Sequence, residues 1–223
     1  MCSAPSSHNL PWVIDDDIDP PGEDLPVRLP LLRPDLLSAE QREVYDAIVD
    51  GPRAERPPLF RFADDDGRLL GPFNAMLYSP VVGRPLQELG SALRFRISLT
   101  RREREIATLV VAAHWRSDYE WYAHERLGGQ AGLTAKEIAA LKAGRDPVPP
   151  VLRERIVYEV ARSMAADQDL SDALYNEAVA TLGRPMLVEL VTLVSYYGAL
   201  ALQLRVFRMT VPKGEPDVEW EDP

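Results

Sequence analysis

The stretch RREREIATLVVAAHWRSDYEWYAHERLGGQAGL, Arg101 to Leu133, decides how the chain folds. Its centre, Ile106 to Ala113, is apolar apart from Thr108, and a helix that is apolar all round must be buried on most sides. Glu105 stands at the mouth of that run, and Glu120 and His124 lie one turn apart just beyond it. Buried carboxylates and imidazoles are costly unless paired. The segment therefore either satisfies its own charges or forms a site.

Helix starts are legible on both sides. Thr100 with Glu103 makes a capping box for a helix over Arg101–Trp115, Ser117 with Glu120 a second for Asp118–Gly128, and Thr134 with Glu137 a third. Leu133 opposite Ile138 adds a hydrophobic staple to the third. Upstream, Ser38 and Gln41 open a helix that Gly51 stops. Phe60 to Phe73 reads as a short hairpin turning at Asp66-Gly67, and Ser79-Pro80 opens a helix towards Leu93. Downstream, helices are expected from about Pro150 to Ala166, Ser171 to Leu182 and Pro185 to Phe207. The pattern predicts an all-α domain over residues 36–211 with one small hairpin. Pro5, Pro11, Pro20, Pro21, Pro26, Pro30 and Pro34 forbid a continuous helix over residues 1–35, which reads as an extended arm. The acidic tail Pro212–Pro223 is expected to be mobile.

Composition narrows the function classes. At 223 residues, 46% hydrophobic and 27% charged, the chain can bury one substantial core. Its net charge of −10 and the brevity of the RRER run at Arg101–Arg104 argue against a nucleic-acid partner. Cys2 is the single cysteine, so no intramolecular disulfide, CxxC pair or cysteine metal site can form. The amino-terminal residues lack a basic start followed by an apolar run, and a cytoplasmic protein is expected. Met186 to Leu204 is nearly long enough to cross a bilayer, but Glu189, Thr192, Ser195 and Gln203 interrupt it. A helix buried in the core or between subunits is the expectation, with no membrane.

Each candidate site residue has an ordinary alternative. Glu105 could pair with Arg101 or Arg102, at i−4 and i−3. Glu120 is already explained as the capping partner of Ser117. His124 shares a helix face with Glu120 and is either a satisfied core histidine or a catalyst, since an imidazole titrates near neutrality. His114 fits the carboxy-terminal end of its helix, where a cation is favoured. Glu120, His124 and Glu105 could supply metal ligands, but the remaining histidines are only His8 and His114, and no metal is expected. Asp64-Asp65-Asp66-Gly67 lacks the later glutamate of a calcium loop and reads as a turn.

Gly71 to Phe95, followed by Leu99 to Leu141 with its YEW and a histidine four residues after that glutamate, resembles the carboxymuconolactone decarboxylase-like proteins. Their superfamily includes the alkylhydroperoxidase D enzymes. The peroxidase branch carries C-x-x-C-x-x-x-H with a glutamate twelve residues before the first cysteine. On this chain the cysteines fall on Ser117 and Glu120, the histidine on His124 and the glutamate on Glu105. A hydroxyl and a carboxylate cannot form a disulfide, so thiol peroxidase activity is not carried over. The Glu105–His124 relay survives. The resemblance implies an alkylhydroperoxidase D-like helical fold, a trimeric or hexameric homo-oligomer, and a cofactor-independent acid/base lyase or isomerase acting on a small lactone or oxo-acid. His124, Glu105 and Glu120 are the catalytic candidates. Asn74, Tyr78, Arg94, Tyr119, Trp121 and Tyr196 are candidates for the substrate pocket, with Arg96 a second cation for a carboxylate substrate. The alternative is a non-catalytic small-molecule-binding or structural oligomer that kept the fold.

Overall fold

The computed structural model describes residues 27–51 and 59–220. Nine α-helices account for most of these: α1 Ala39–Val49, α2 Pro72–Tyr78, α3 Pro80–Phe95, α4 Arg101–Trp115, α5 Asp118–Gln130, α6 Ala135–Lys142, α7 Leu152–Asp167, α8 Asp172–Leu182 and α9 Arg184–Phe207. The chain is all-α, as the helix signals require.

The apolar run anticipated from sequence is the central helix. Ile106, Ala107, Leu109, Val110, Val111 and Ala112 of α4 are all buried, and α7, α9 and α5 pack around it. Each fully buried branched aliphatic contributes roughly 1.5–3 kcal/mol. Capping boxes form at Ser38, Thr100 and Thr134 as the spacing predicts.

α4 ends at Arg116, which takes the left-handed conformation (φ 47°), and Ser117 N–H then donates back to Ala112 O at 2.9 Å. This closes a tight turn that lays α5 back along α4. The expected capping box at Ser117 does not form, and the turn is the reason. In such a box Glu120 would bond the Ser117 N–H, which Ala112 has already taken. Gly128 lets the two helices approach: a Cβ there would meet Leu133 Cδ1 at 2.9 Å and Leu109 Cδ1 at 3.2 Å.

Charged groups lock the other flank of α4. Arg102 reaches Glu154 at 2.9 Å and the Gly132 carbonyl at 2.6 Å, and it also pairs with Glu137. Arg153 grips both oxygens of Glu103 at 2.9 Å. Arg102 is therefore committed to α6 and α7 and does not pair with Glu105.

Two further expectations change, for the hairpin and the tail. The hairpin is reduced to one bridge, Ala63 with Leu69, around a turn in which Asp64 Oδ1 accepts from Asp66 N and Arg68 N. The amino-terminal arm, described from residue 27, is tied down: Arg28 N–H donates to Phe207 O, and Leu32 N–H to Asn74 Oδ1. The rest of that arm lies outside the described residues. The tail is docked up to Trp220, whose Nε1–H donates to Asp118 at 2.7 Å and whose ring meets Trp121 edge-on. Charge does not keep it in solvent because Glu215 finds Arg126 at 3.0 Å.

α9 is long and apolar enough, by length and composition, to cross a membrane. Here Leu187, Leu190, Leu193, Leu200 and Leu204 are buried, and the helix packs on α4, α7 and α8.

Arg102→Ala is expected to lower the unfolding free energy by about 3 kcal/mol, because it strands two partly desolvated carboxylates. Urea denaturation of the two proteins measures this, and a loss below about 1 kcal/mol would mean that the cluster is solvated.

Candidate functional site

The α4–α5 hairpin brings together the two residues singled out first. His124 Nδ1 lies 2.7 Å from Glu105 Oε2, and both side chains are buried. A carboxylate only accepts, so Nδ1 carries the proton and donates it to Glu105. That fixes the tautomer and leaves Nε2 as the basic nitrogen. Tyr197 of α9 meets the imidazole edge-on, with ring centroids 4.9 Å apart, and holds its plane.

Near Glu105 stands Arg104, half-buried, whose guanidinium donates to Leu99 O at 2.9 Å. Burial pushes its pKa below the ordinary arginine value, and Arg94 and Arg101 push the same way, while the Glu105 carboxylate opposes them. Positive charge thus gathers beside the pair, in a chain whose net charge is −10.

His124 opens onto a small cavity of about 40 Å³, lined also by Arg94, Glu120, Tyr119, Tyr196 and Tyr197, with Phe60 and Phe73 among its apolar walls. That is room for about three waters. Glu120 is the unusual member. Only 3% of it is exposed, and among the described residues neither carboxyl oxygen has a hydrogen-bond partner. Burial pushes its pKa well above the usual 4.5, and the nearby Ser117 hydroxyl tempers this without reaching hydrogen-bond geometry. Burial therefore favours the neutral carboxylic acid form of Glu120 over the carboxylate.

The other candidates divide. Arg94 and Tyr196 line the cavity, as expected. Tyr119 also lines it, but its hydroxyl is spent on the Arg61 carbonyl at 3.1 Å, and burial raises its pKa well above 10. Its ring fills the space beside Gly71, where a Cβ would sit 2.4 Å from the tyrosine. Asn74 and Tyr78 do not reach the cavity. Asn74 Nδ2 and the Tyr78 hydroxyl both donate to Pro30 O, at 3.0 and 2.6 Å, so they fasten the arm to α2. Trp121 points the other way, into the Trp220 contact, with its Nε1 buried and without a partner. Arg96 is exposed and outside the lining. Tyr197, Phe60 and Phe73 escaped the sequence reading, although the Tyr196-Tyr197 doublet in an apolar helix was a usable signal. Among the described residues no group of three or more His, Cys, Asp and Glu side chains gathers as a metal cage requires.

The profile of the Carboxymuconolactone decarboxylase family matches residues 80–163, which span α3 through most of α7. No curated protein shows a significant match to the chain. Among solved structures, an alkylhydroperoxidase AhpD core, an uncharacterized peroxidase-related protein from Ralstonia eutropha JMP134, superposes with a TM-score of 0.65 at 15% identity, over 85% of this chain and 94% of that one. A peroxidase-related protein from Silicibacter sp. TM1040 gives 0.63 at 15% identity, covering 86% and 94%. The debrominase Bmp8, as a cysteine-to-alanine variant in complex with 2,3,4-tribromopyrrole, gives 0.60 at 11% identity, covering 84% and 92%. At such identities these structures share the fold.

The neutral state of Glu120 has a thermodynamic signature. Its folded pKa is raised, so the folded state holds a proton that the unfolded chain releases above about pH 4.5. Native stability therefore declines with rising pH on this account. Glu120→Gln removes the slope and is expected to gain on the wild type by up to about 1.4 kcal/mol per pH unit above pH 4.5. Denaturant midpoints at pH 4, 5, 6 and 7 test it, and a difference independent of pH would show Glu120 ionised in the fold.

The carboxymuconolactone decarboxylase family profile thus matches residues 80–163, the segment that carries Arg94, Glu105, Glu120 and His124, and the chain shares the fold of the alkylhydroperoxidase AhpD core.

Proposed function

We propose that the protein is a cofactor-independent acid/base enzyme, a lyase or isomerase acting on a small lactone or oxo-acid. The observation that carries this reading is the buried His124–Glu105 pair, 2.7 Å apart, on the wall of a cavity. A neutral imidazole with Nδ1 held by a carboxylate is a general base at Nε2, and its conjugate acid is stabilised by the same carboxylate. Arg94 in the lining and Arg104 beside Glu105 favour an anionic substrate. Thiol peroxidase chemistry is disfavoured, since Ser117 and Glu120 occupy the positions that resemble the cysteine pair.

One observation favours a second reading, a binding or structural oligomer without turnover. The cavity of about 40 Å³ is far smaller than the several hundred Å³ of a typical ligand pocket, so a lactone must part the Phe60 or Tyr197 wall to enter. Incubation with a panel of small lactones and oxo-acids in D₂O separates the two. NMR would follow deuterium entering carbon and release of CO₂. His124→Gln keeps a donor towards Glu105 but no base, so the rate should fall at least about a hundredfold with the thermal midpoint little changed. Equal rates in both proteins, or ligand binding with no turnover by the wild type, would favour the second reading.

The reading includes a homo-oligomer, trimeric or hexameric. Val188, Val191, Leu202 and Val206 recur at helical spacing on α9 and remain exposed, as do Val81, Val82 and Leu89 on α3. Sedimentation should give an assembly for the wild type and a smaller species for Val188→Glu with Leu202→Glu. A monomeric wild type would contradict the assembly.

A further inference from the structure

Glu120 has no structural employment. Among the described residues it caps nothing and has no hydrogen-bond partner, yet it is buried on the wall that also carries His124. A buried polar group left without a partner is costly, because its desolvation is not offset. Groups facing the cavity with it are Tyr119 and His124 on α5, Arg94 on α3, and Tyr196 and Tyr197 on α9, with Glu105 behind the imidazole. None of them is hydrogen-bonded to its carboxyl. Among the described residues no protein group accepts from its carboxyl, so a molecule entering the cavity is the partner it can bond.

We propose that Glu120 donates a hydrogen bond to the carbonyl oxygen of the substrate, and that the site therefore selects compounds whose reacting carbon lies next to that carbonyl. The inference rests on the acid/base reading and adds the group that receives the developing charge. His124 Nε2 takes the proton from the α-carbon. The C–H electron pair becomes a C=C bond, the C=O π pair moves to oxygen, and the enolate oxygen is held by the Glu120 O–H. The imidazolium then returns the proton to the same carbon or to its allylic partner, so the net change is exchange or isomerisation with all atoms retained. Loss of CO₂ from a β-oxo acid reaches the same enolate through the C–C pair, and a proton from water, relayed by His124, ends on carbon. A protonated carboxyl in an apolar site is a stronger donor to an enolate than water, because it is fixed before the charge appears.

The probe is ethylnitronate, a small oxyanion shaped like an enolate, with neutral nitroethane as control. Calorimetry should show ethylnitronate binding to the wild type, held within about threefold by Glu120→Gln, whose amide still donates. Glu120→Ala should weaken it by about tenfold or more. Infrared spectroscopy at pH 7 should show the carbonyl stretch of a neutral carboxylic acid that is missing in Glu120→Gln. That band should move to lower frequency when ethylnitronate is added. This second readout stands even where Glu120→Ala does not fold. A missing band, a band unmoved by the nitronate, no nitronate binding, or equal affinity in Glu120→Ala would each overturn the assignment. If the band moves but no deuterium enters any carbonyl compound, Glu120 is the donor and the catalytic reading of His124 fails instead.

Discussion

The structure turns on one hydrogen bond across the α4–α5 hairpin, from His124 to Glu105. Both groups are withdrawn from water, and each would be expensive there alone. The fold is arranged around keeping them in register. The capping box at Thr100 fixes where α4 begins, the left-handed Arg116 fixes where it ends, and Gly128 permits the close approach that the bond length requires. The arginine clusters on the far flank, Arg102 with Glu137 and Glu154, and Arg153 with Glu103, take Arg102 and Glu103 of α4 out of competition. Glu105 is left with the imidazole as its hydrogen-bond partner.

Two carboxyl groups then stand near one imidazole in different surroundings. Glu105 accepts a hydrogen bond from a ring N–H, whereas burial pushes the Glu120 pKa well above the ordinary carboxylate value. Arg94 adds a cation to the wall of the same small volume. The aromatic wall, above all Tyr197 against His124, keeps the ring from turning.

Much of this was legible in the residues. Helix starts followed from side chains that bond their own backbone three residues on, as at Ser38, Thr100 and Thr134, and such local rules need no tertiary knowledge. The Glu105–His124 pair was visible as two groups with no comfortable place in an apolar helix, though Arg101 and Arg102 offered Glu105 an ordinary alternative. What escaped depended on contacts distant in sequence. Ser117 had the right spacing for a box, but its N–H was claimed by Ala112, which only the turn geometry reveals. Asn74 and Tyr78 looked like pocket residues, yet a proline-rich arm that offers bare carbonyls more than 40 positions away took their hydrogen bonds. The tail looked solvated by its charge, until Trp220 found Trp121.

The most direct measurement is the protonation map of the His124 ring by long-range ¹H–¹⁵N correlation NMR at neutral pH. The account predicts a proton on Nδ1, deshielded by Glu105, and a bare, basic Nε2. A ring protonated at Nε2 with Nδ1 bare, or one averaging rapidly between the two tautomers, would contradict it.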